Sequence, residues 1–291
     1  MRVFLTGATG FIGTRVITEL LAAGHQVLGL ARTDAGANAL TAAGAQAHRG
    51  SLEDLESLRS GAAQSDGVIH CGFVHDFSKF AENCEIDRLA IETIGAELKG
   101  SDRPFVVTSG TGVVNTAGRP STEDDEPNTP FPRVSEQTAL SLAAQGLRAS
   151  VVRLPQVHDA YKAGLVTYLV AVARQTGVSA YIGEGLNRWP ACHVLDAAPV
   201  YKLALEKGVA GTRYHAVGEE GIPLREIAES LGRGLSLPVV SKSPEEAAAH
   251  FGFLSFFAGA DLPASSARTQ QRLGWRPTHG GLLADLDQAK F

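Results

Sequence analysis

Apolar positions along the chain fall into two rhythms. Residues 2–6 (RVFLT), 26–32 (QVLGLAR), 66–71 (DGVIHC), 104–109 (PFVVTS) and 149–154 (ASVVRL) are short, nearly continuous apolar runs, and 45–48 (AQAH) is a briefer one. Between them lie longer stretches with helical spacing. One spans 13–23 and ends at Gly24, another runs to about Ala43, and others cover 85–98 and 133–145. A further helix follows Ser51, read as its cap, with Asp54 at the third helical position. Strands buried on both faces read as continuous runs, and the helices between them serve as crossovers. The pattern through residue 154 therefore predicts a doubly wound parallel α/β sheet.

After Pro155 the rhythm loosens. The spacing predicts a helix over 164–177, a strand and turn over 178–189, a helix over 196–208, and a strand over 212–218 that could return to the main sheet. Helices follow near 224–234, 243–251 and 265–272. The expected organisation is a core domain over 1–160, which the strand near 212–217 rejoins, and a smaller lobe over 161–291. No internal repeat is visible. The acidic run STEDDEP (121–127) is expected to be a solvated loop.

Composition narrows the function. The 291 residues are 44% hydrophobic and 20% charged, ordinary globular values. A net charge of −5 leaves no basic stripe for nucleic acid or an anionic membrane surface. No run approaches the roughly 18 apolar residues of a membrane helix, and the N-terminus is too polar for a secretion signal. Three cysteines without a CxxC pair suit reduced thiols in a cytoplasmic protein better than a disulfide framework or a zinc site. No metal is expected.

The strongest motif is TGATGFIG (6–13), with Gly7, Gly10 and Gly13 between the first strand and the first helix. Glycines there permit a tight turn and close approach of backbone amides to a pyrophosphate, which the helix N-terminus then favours electrostatically. Gly7, Thr9, Gly10, Phe11, Ile12 and Gly13 are the candidate phosphate contacts. The second strand ends Ala31-Arg32-Thr33, with no acid to accept from a ribose 2′-hydroxyl until Asp34. Arg32 suits a 2′-phosphate instead, so the expected cofactor is NADP(H).

The Gly-x-x-Gly-x-x-Gly loop resembles the short-chain dehydrogenase/reductase superfamily. The closest branch is the extended one, with its NAD-dependent epimerase/dehydratases and dihydroflavonol-reductase-like proteins. DGVIHCGF, VVTSGT, VVRLPQVHD, CHVLDAA and LGWRP extend the resemblance in the right order over nearly the whole chain. It implies a Rossmann sheet with a C-terminal substrate lobe, a small carbonyl substrate, and a homodimer formed through the helices near 85–98 and 133–145. It also implies cofactor contacts at Ser51, Leu52, Thr108, Pro155 and Val157, with Ser51 standing where the family usually has Asp.

The family's catalytic pair, Tyr-x-x-x-Lys, is absent. None of the five tyrosines is followed by Lys four residues later, and by position Pro132 and Glu136 stand where Tyr and Lys would. Three readings remain open: a reductase using other groups, a silent NADP(H)-binding regulator, or an epimerase or dehydratase with another acid/base pair. For the first, Ser109 and Thr111 could orient a carbonyl, and His75 could donate a proton near neutral pH. Glu136 could accept a ribose hydroxyl. Tyr161 is a second candidate acid, Arg188 and Trp189 candidate pocket residues, and 251–259 an apolar cover or lobe core. His158, His193 and Cys71 are expected to be structural.

Overall fold

The computed structural model describes residues 1–128 and 131–290. Its strands are β1 (Arg2–Thr6), β2 (Gln26–Ala31), β3 (Gln46–Arg49), β4 (Gly67–His70), β5 (Phe105–Gly110) and β6 (Ala149–Leu154), then β7 (Gln156–His158), β8 (Ser179–Ile182), β9 (Arg188–His193), β10 (Arg213–His215), β11 (Glu219–Pro223) and β12 (Val239–Lys242). The helices are α1 (Phe11–Ala22), α2 (Asp34–Ala42), α3 (Leu55–Ala63), α4 (Phe80–Leu98), α5 (Ser135–Ala144) and α6 (Val166–Thr176), then α7 (Val194–Lys207), α8 (Leu224–Leu235), α9 (Pro244–Phe251), α10 (Ser255–Gly259), α11 (Ala267–Leu273) and α12 (Leu282–Gln288).

Seven parallel strands form the main sheet in the order β10-β6-β5-β4-β1-β2-β3. The order reverses between β1 and β4, which opens a crevice at the C-terminal strand ends. Each face is covered by helices, as the continuous apolar runs require. Val16, Ile17 and Leu20 of α1 and Val200, Tyr201 and Ala204 of α7 pack on one face; Ile91 and Ile94 of α4 and Ala139 of α5 pack on the other. The lobe is built on a three-stranded sheet (β11-β9-β7) and the β8–β12 pair, with a core around Trp189, Ile227 and Phe251.

Several local expectations change. Asp54, not Ser51, caps α3: its side chain accepts from the Ser57 amide, while Ser51 Oγ closes the preceding turn on the Glu53 and Asp54 amides. α4 begins at Phe80, led in by a single turn over Phe77–Lys79. α5 begins at Ser135, so Pro132 and Arg133 precede the helix instead of lying in it. The acidic run is not simply solvated. Glu123 is 2% exposed and its Oε1 accepts from the Thr269 amide and hydroxyl at 2.7 and 2.6 Å.

β10 is fixed to the sheet by charge. Glu136 of α5 is buried and receives Nε and Nη2 of the fully buried Arg153 at 2.7 and 2.6 Å, and Nε of Arg213 at 2.6 Å. Arg153 also donates to the Asp125 carbonyl at 2.8 Å, so the 121–127 loop closes the network. Glu136 is thereby committed to two arginines and is not free to take a ribose hydroxyl. His215 of β10 donates from Nδ1 to the Ser265 carbonyl at 2.8 Å and accepts at Nε2 from Arg153 at 3.1 Å. Burial, reinforced by the Arg153 charge, pushes its pKa down to about 3.

Removing one partner of a buried pair strands the other charge. Glu136→Ala is expected to lower unfolding free energy by about 3–5 kcal/mol in urea titrations, with Glu136→Gln losing less. His215 gives a second expectation. Below pH 6.5 the unfolded chain protonates this histidine while the native state cannot, so the group's contribution falls by about 1.4 kcal/mol per pH unit. Stability measured between pH 7 and 5 should therefore slope less steeply in His215→Gln than in the wild type.

Candidate active site and cofactor cleft

The glycine loop turns between β1 and α1. Gly7 has φ +68°, and a Cβ there would lie 2.7 Å from the Cys71 carbonyl carbon. A Cβ on Gly13 would lie 2.1 Å from the Gly7 carbonyl oxygen. Only glycine lets β1, α1 and the segment after β4 approach this closely. Gly10 is the N-cap of α1 with no side-chain cap, and the first turn carries no acid. Thr9 and Gly10 are exposed, and Phe11 and Ile12 half-buried. The first turn of α1 thus carries neither a side-chain cap nor a competing carboxylate, the arrangement a pyrophosphate needs.

The ends of β2 and β3 form the next part of the crevice. Arg32, Arg49, Gly50, Ser51 and Asp54 line an open cleft of about 330 Å³. Arg49 lies 3.2 Å from Asp34 in an exposed pair and donates to the Arg32 carbonyl, so two guanidinium groups stand at one rim. Arg49 carries no motif of its own. Only the parallel register that sets Ala31 beside it places it next to Arg32. Leu52 packs beside Gly72, where an added Cβ would lie 3.0 Å from its Cδ2.

At the C-terminal ends of β4 and β5 a buried chain of hydrogen bonds holds one cation. Thr6 Oγ1 accepts from the Gly72 amide at 3.1 Å and pairs with His70 Nδ1 at 2.9 Å. His70 Nε2 meets Asp87 Oδ1 at 3.1 Å. A carboxylate acceptor puts the proton on Nε2, so Nδ1 accepts and the Thr6 hydroxyl donates. Ser135 Oγ donates to Asp87 Oδ2 at 2.5 Å and accepts from Arg133 Nε at 2.8 Å. Burial alone would raise the Asp87 pKa; the His70 hydrogen bond, the Arg133 charge and the Ser135 hydrogen bond hold it below the ordinary carboxylate value.

Arg133 is therefore fixed. Its Nη2 donates to the Thr108 carbonyl at 3.2 Å and its guanidinium lies 4.3 Å over the Phe73 ring. Nη1 has no partner among the described residues. The sequence puts this arginine one residue after Pro132, but nothing in the spacing shows that it turns toward the strand ends.

The other candidates separate. Ser109 is buried at the end of β5 and its hydroxyl has no partner among the described residues. Thr111 makes a long 3.4 Å contact to the Leu154 carbonyl. His75 is exposed at the rim, edge-on to Phe73 at 5.3 Å; partial desolvation and then the Arg133 charge hold its pKa below 6.5. Thr108 faces inward: its hydroxyl donates to the His70 carbonyl at 2.8 Å and so accepts from Tyr201 at 2.9 Å. Burial pushes the Cys71 thiol up to about 11 and the Tyr201 phenol well above its usual value. Pro155 and Val157 flank the start of β7, with Val157 in the core.

Tyr161 is 91% exposed, in a turn whose neighbour Lys162 places its Nζ 5.8 Å from the Phe11 ring. Trp189 is core and donates to the Phe257 carbonyl; Arg188 is bidentate to Asp261. His158 binds Asp285 at 2.6 Å, and His193 stacks on His279, both tying the C-terminal segment to β7 and β9. Glu123 Oε2 and His158 Nε2 are buried without a hydrogen-bond partner, but neither faces the strand-end crevice in any contact described. The described residues contain no cluster of His, Cys, Asp and Glu fit to hold a metal, and no helix long and apolar enough to cross a membrane.

Comparison with known proteins agrees with this architecture. The chain is 53% identical over 289 residues to an uncharacterised protein of Schizosaccharomyces pombe, covering 98% of each. It is 28% identical to the 4-hydroxy-2-methyl-3-oxo-4-farnesyl-3,4-dihydroquinoline-1-oxide ketoreductase of Stigmatella aurantiaca, covering 99% of this chain and 96% of that one. Among solved structures, the dTDP-glucose 4,6-dehydratase DesIV of Streptomyces venezuelae, with NAD and TYD bound, superposes with a TM-score of 0.78 at 21% identity. It covers 99% of this chain and 96% of its own, a likeness of fold. The family model described as NAD dependent epimerase/dehydratase matches residues 3–217, from β1 through β10. The sheet order, the glycine loop and this match together make the chain a member of the NAD dependent epimerase/dehydratase family.

Proposed function

We propose that the protein is an NADP(H)-dependent reductase of a small aldehyde or ketone, in which the Arg133 guanidinium takes over the electrophilic work of the absent Tyr-x-x-x-Lys pair. The observation that carries this is a guanidinium locked by a buried carboxylate at the C-terminal ends of β4 and β5, whose Nη1 has no partner among the described residues. The kinship with a ketoreductase supports carbonyl reduction in particular.

The residues fit a nicotinamide dinucleotide. The glycine cradle would hold the pyrophosphate, and Arg32 with Arg49 would hold a 2′-phosphate through charge-assisted contacts. When bound, the reduced cofactor supplies the hydride. The chain's own residues then manage charge. Arg133 Nη1 and the Ser109 hydroxyl donate to the carbonyl oxygen and stabilise it as it becomes an alkoxide. Neither supplies the proton: a guanidinium does not deprotonate, and a serine hydroxyl is far too weak an acid. His75 or solvent at the rim delivers it. Cys71 and Tyr201 are poor candidates for that role, the first because its pKa is raised to about 11 and the second because it is fully buried with a raised pKa.

Cofactor choice is tested by fluorescence titration. NADPH should bind more tightly than NADH, and Arg32→Ala should weaken NADPH about 10- to 100-fold while leaving NADH nearly unchanged. Tighter NADH than NADPH in the wild type would remove the 2′-phosphate argument. Chemistry is tested by NADPH oxidation with a panel of ketones and aldehydes. Arg133→Ala should lower kcat about 100-fold or more with little change in NADPH affinity. Because the His75 pKa is depressed, kcat for reduction should climb as pH falls below 6.5, and His75→Ala should flatten that limb. Tight NADPH binding with no turnover on any carbonyl would favour the silent regulator instead.

A further inference from the structure

An aromatic surface runs from the active-site rim into the lobe. Phe73 and Phe77 come from the segment after β4, Phe80 from the start of α4, Phe131 from the approach to α5, and Phe253 and Phe257 from the lobe. Phe73 and Phe80 lie 6.0 Å apart, Phe80 and Phe131 5.1 Å, and Phe131 and Phe257 5.8 Å. Phe77 stacks face to face on Phe253 across the two parts of the molecule, at 4.6 Å and 17°. Tyr168 of α6 meets both of these rings edge-on at 5.3 and 5.6 Å.

This is not a sealed core. Phe4, Phe105 and Phe251 are each 2% exposed or less, whereas none of the six rings is buried and Phe253 is 48% exposed. Covering an aromatic ring is favourable by about 1.5–3 kcal/mol, so a contiguous half-wet set marks a surface completed by something else. Its position says what. Phe73 lies directly beneath the Arg133 guanidinium, the group assigned to the carbonyl oxygen, so the aromatic surface begins where the reacting atom sits.

Charge beside the rings disfavours a nucleoside diphosphate. Arg133 is the single cation within stacking distance of these rings among the described residues. Of the lobe arginines, Arg188 is paired with Asp261, Arg225 with Glu229 and Arg233 with Asp287, and neither Arg174 nor Arg276 makes a cation–ring contact with these rings among the described residues. We propose that the substrate is an uncharged carbonyl compound bearing a planar aromatic group, whose ring packs against the Phe77–Phe253 stack while its carbonyl meets Arg133. This rests on the reductase reading for the chemistry, but not for the binding.

The test separates the two. With the full chain saturated with NADP⁺, so that no reduction occurs, binding of 2-acetylnaphthalene and of UDP-glucose is followed by saturation-transfer NMR and calorimetry. 2-Acetylnaphthalene should bind and UDP-glucose should not. Phe77→Leu and Phe253→Leu should each weaken 2-acetylnaphthalene about fivefold or more, with NADPH affinity retained as the sign that the variants are folded. UDP-glucose binding in place of the aryl ketone, or unchanged aryl-ketone affinity in both folded variants, would overturn the proposal. So would a dimer in sedimentation that Phe253→Leu dissociates, since a second copy would then cover the rings. Aryl-ketone binding without NADPH oxidation would sink the reductase reading and leave the ligand class standing. Turnover of aliphatic aldehydes without aryl-ketone binding would do the reverse.

Discussion

Asp87 is an ionised carboxylate at 1% exposure, and most of the candidate site depends on how it is satisfied. A buried charge of this kind is tolerated only when hydrogen bonds and an opposite charge replace its water. His70 from β4 and Ser135 from α5 supply the bonds, and Arg133 supplies the charge 3.9 Å away. The consequences spread in both directions. Toward the cofactor crevice, the carboxylate fixes the His70 tautomer, which makes Thr6 a donor to the ring and leaves its lone pairs for the Gly72 amide. On its other side it orients Ser135, which clamps Arg133 Nε, while Nη1 has no partner among the described residues.

The lack of a Tyr-x-x-x-Lys spacing in the sequence takes on meaning in this light. Helix α5 starts at Ser135, and the two charged residues around its N-terminus face opposite ways. Arg133 points to the ends of β4 and β5, whereas Glu136 points to Arg153 and Arg213 and pins β10. One residue serves the crevice and the other the fold. A positive charge thus stands at the strand ends, and the Glu136 carboxylate is spent on holding β10.

Much of the architecture was legible because it follows from local rules. Apolar runs of strand length, glycines at 7, 10 and 13, and helical spacing between them define the parallel sheet almost residue by residue. What escaped depends on long-range placement. β9 and β11 carry Pro190 and Gly221 and lack a clean alternation, and only their pairing makes them strands. Glu123 looks like one acid among several until Thr269, 146 residues away, closes on it. Asp87 and His70 fall on ordinary helix and strand positions. Arg133 sits in an irregular stretch whose spacing says nothing of where its side chain turns, and Arg49 owes its place beside Arg32 to strand register alone.

A guanidinium in place of an ammonium–phenol pair would carry a mechanistic consequence of its own. An ammonium beside a tyrosine serves two ends, charge stabilisation and lowering of the phenol pKa, so that one unit supplies both electrophile and proton. A guanidinium does only the first, since it stays protonated throughout. On the proposed reading the two tasks are therefore split: Arg133 and Ser109 stabilise the oxygen inside the crevice, and the proton arrives from the rim, where His75 is exposed. The depressed pKa of that imidazole leaves it largely neutral at pH 7, a poor reservoir of protons for reduction but an available acceptor for the reverse step. The same Arg133 charge that stabilises an alkoxide also lowers the His75 pKa, so strengthening one half of the chemistry weakens the other near neutral pH. A site built this way gains most from a substrate whose carbonyl carries an electron-withdrawing neighbour, because the alkoxide is then less basic and needs less help from an acid.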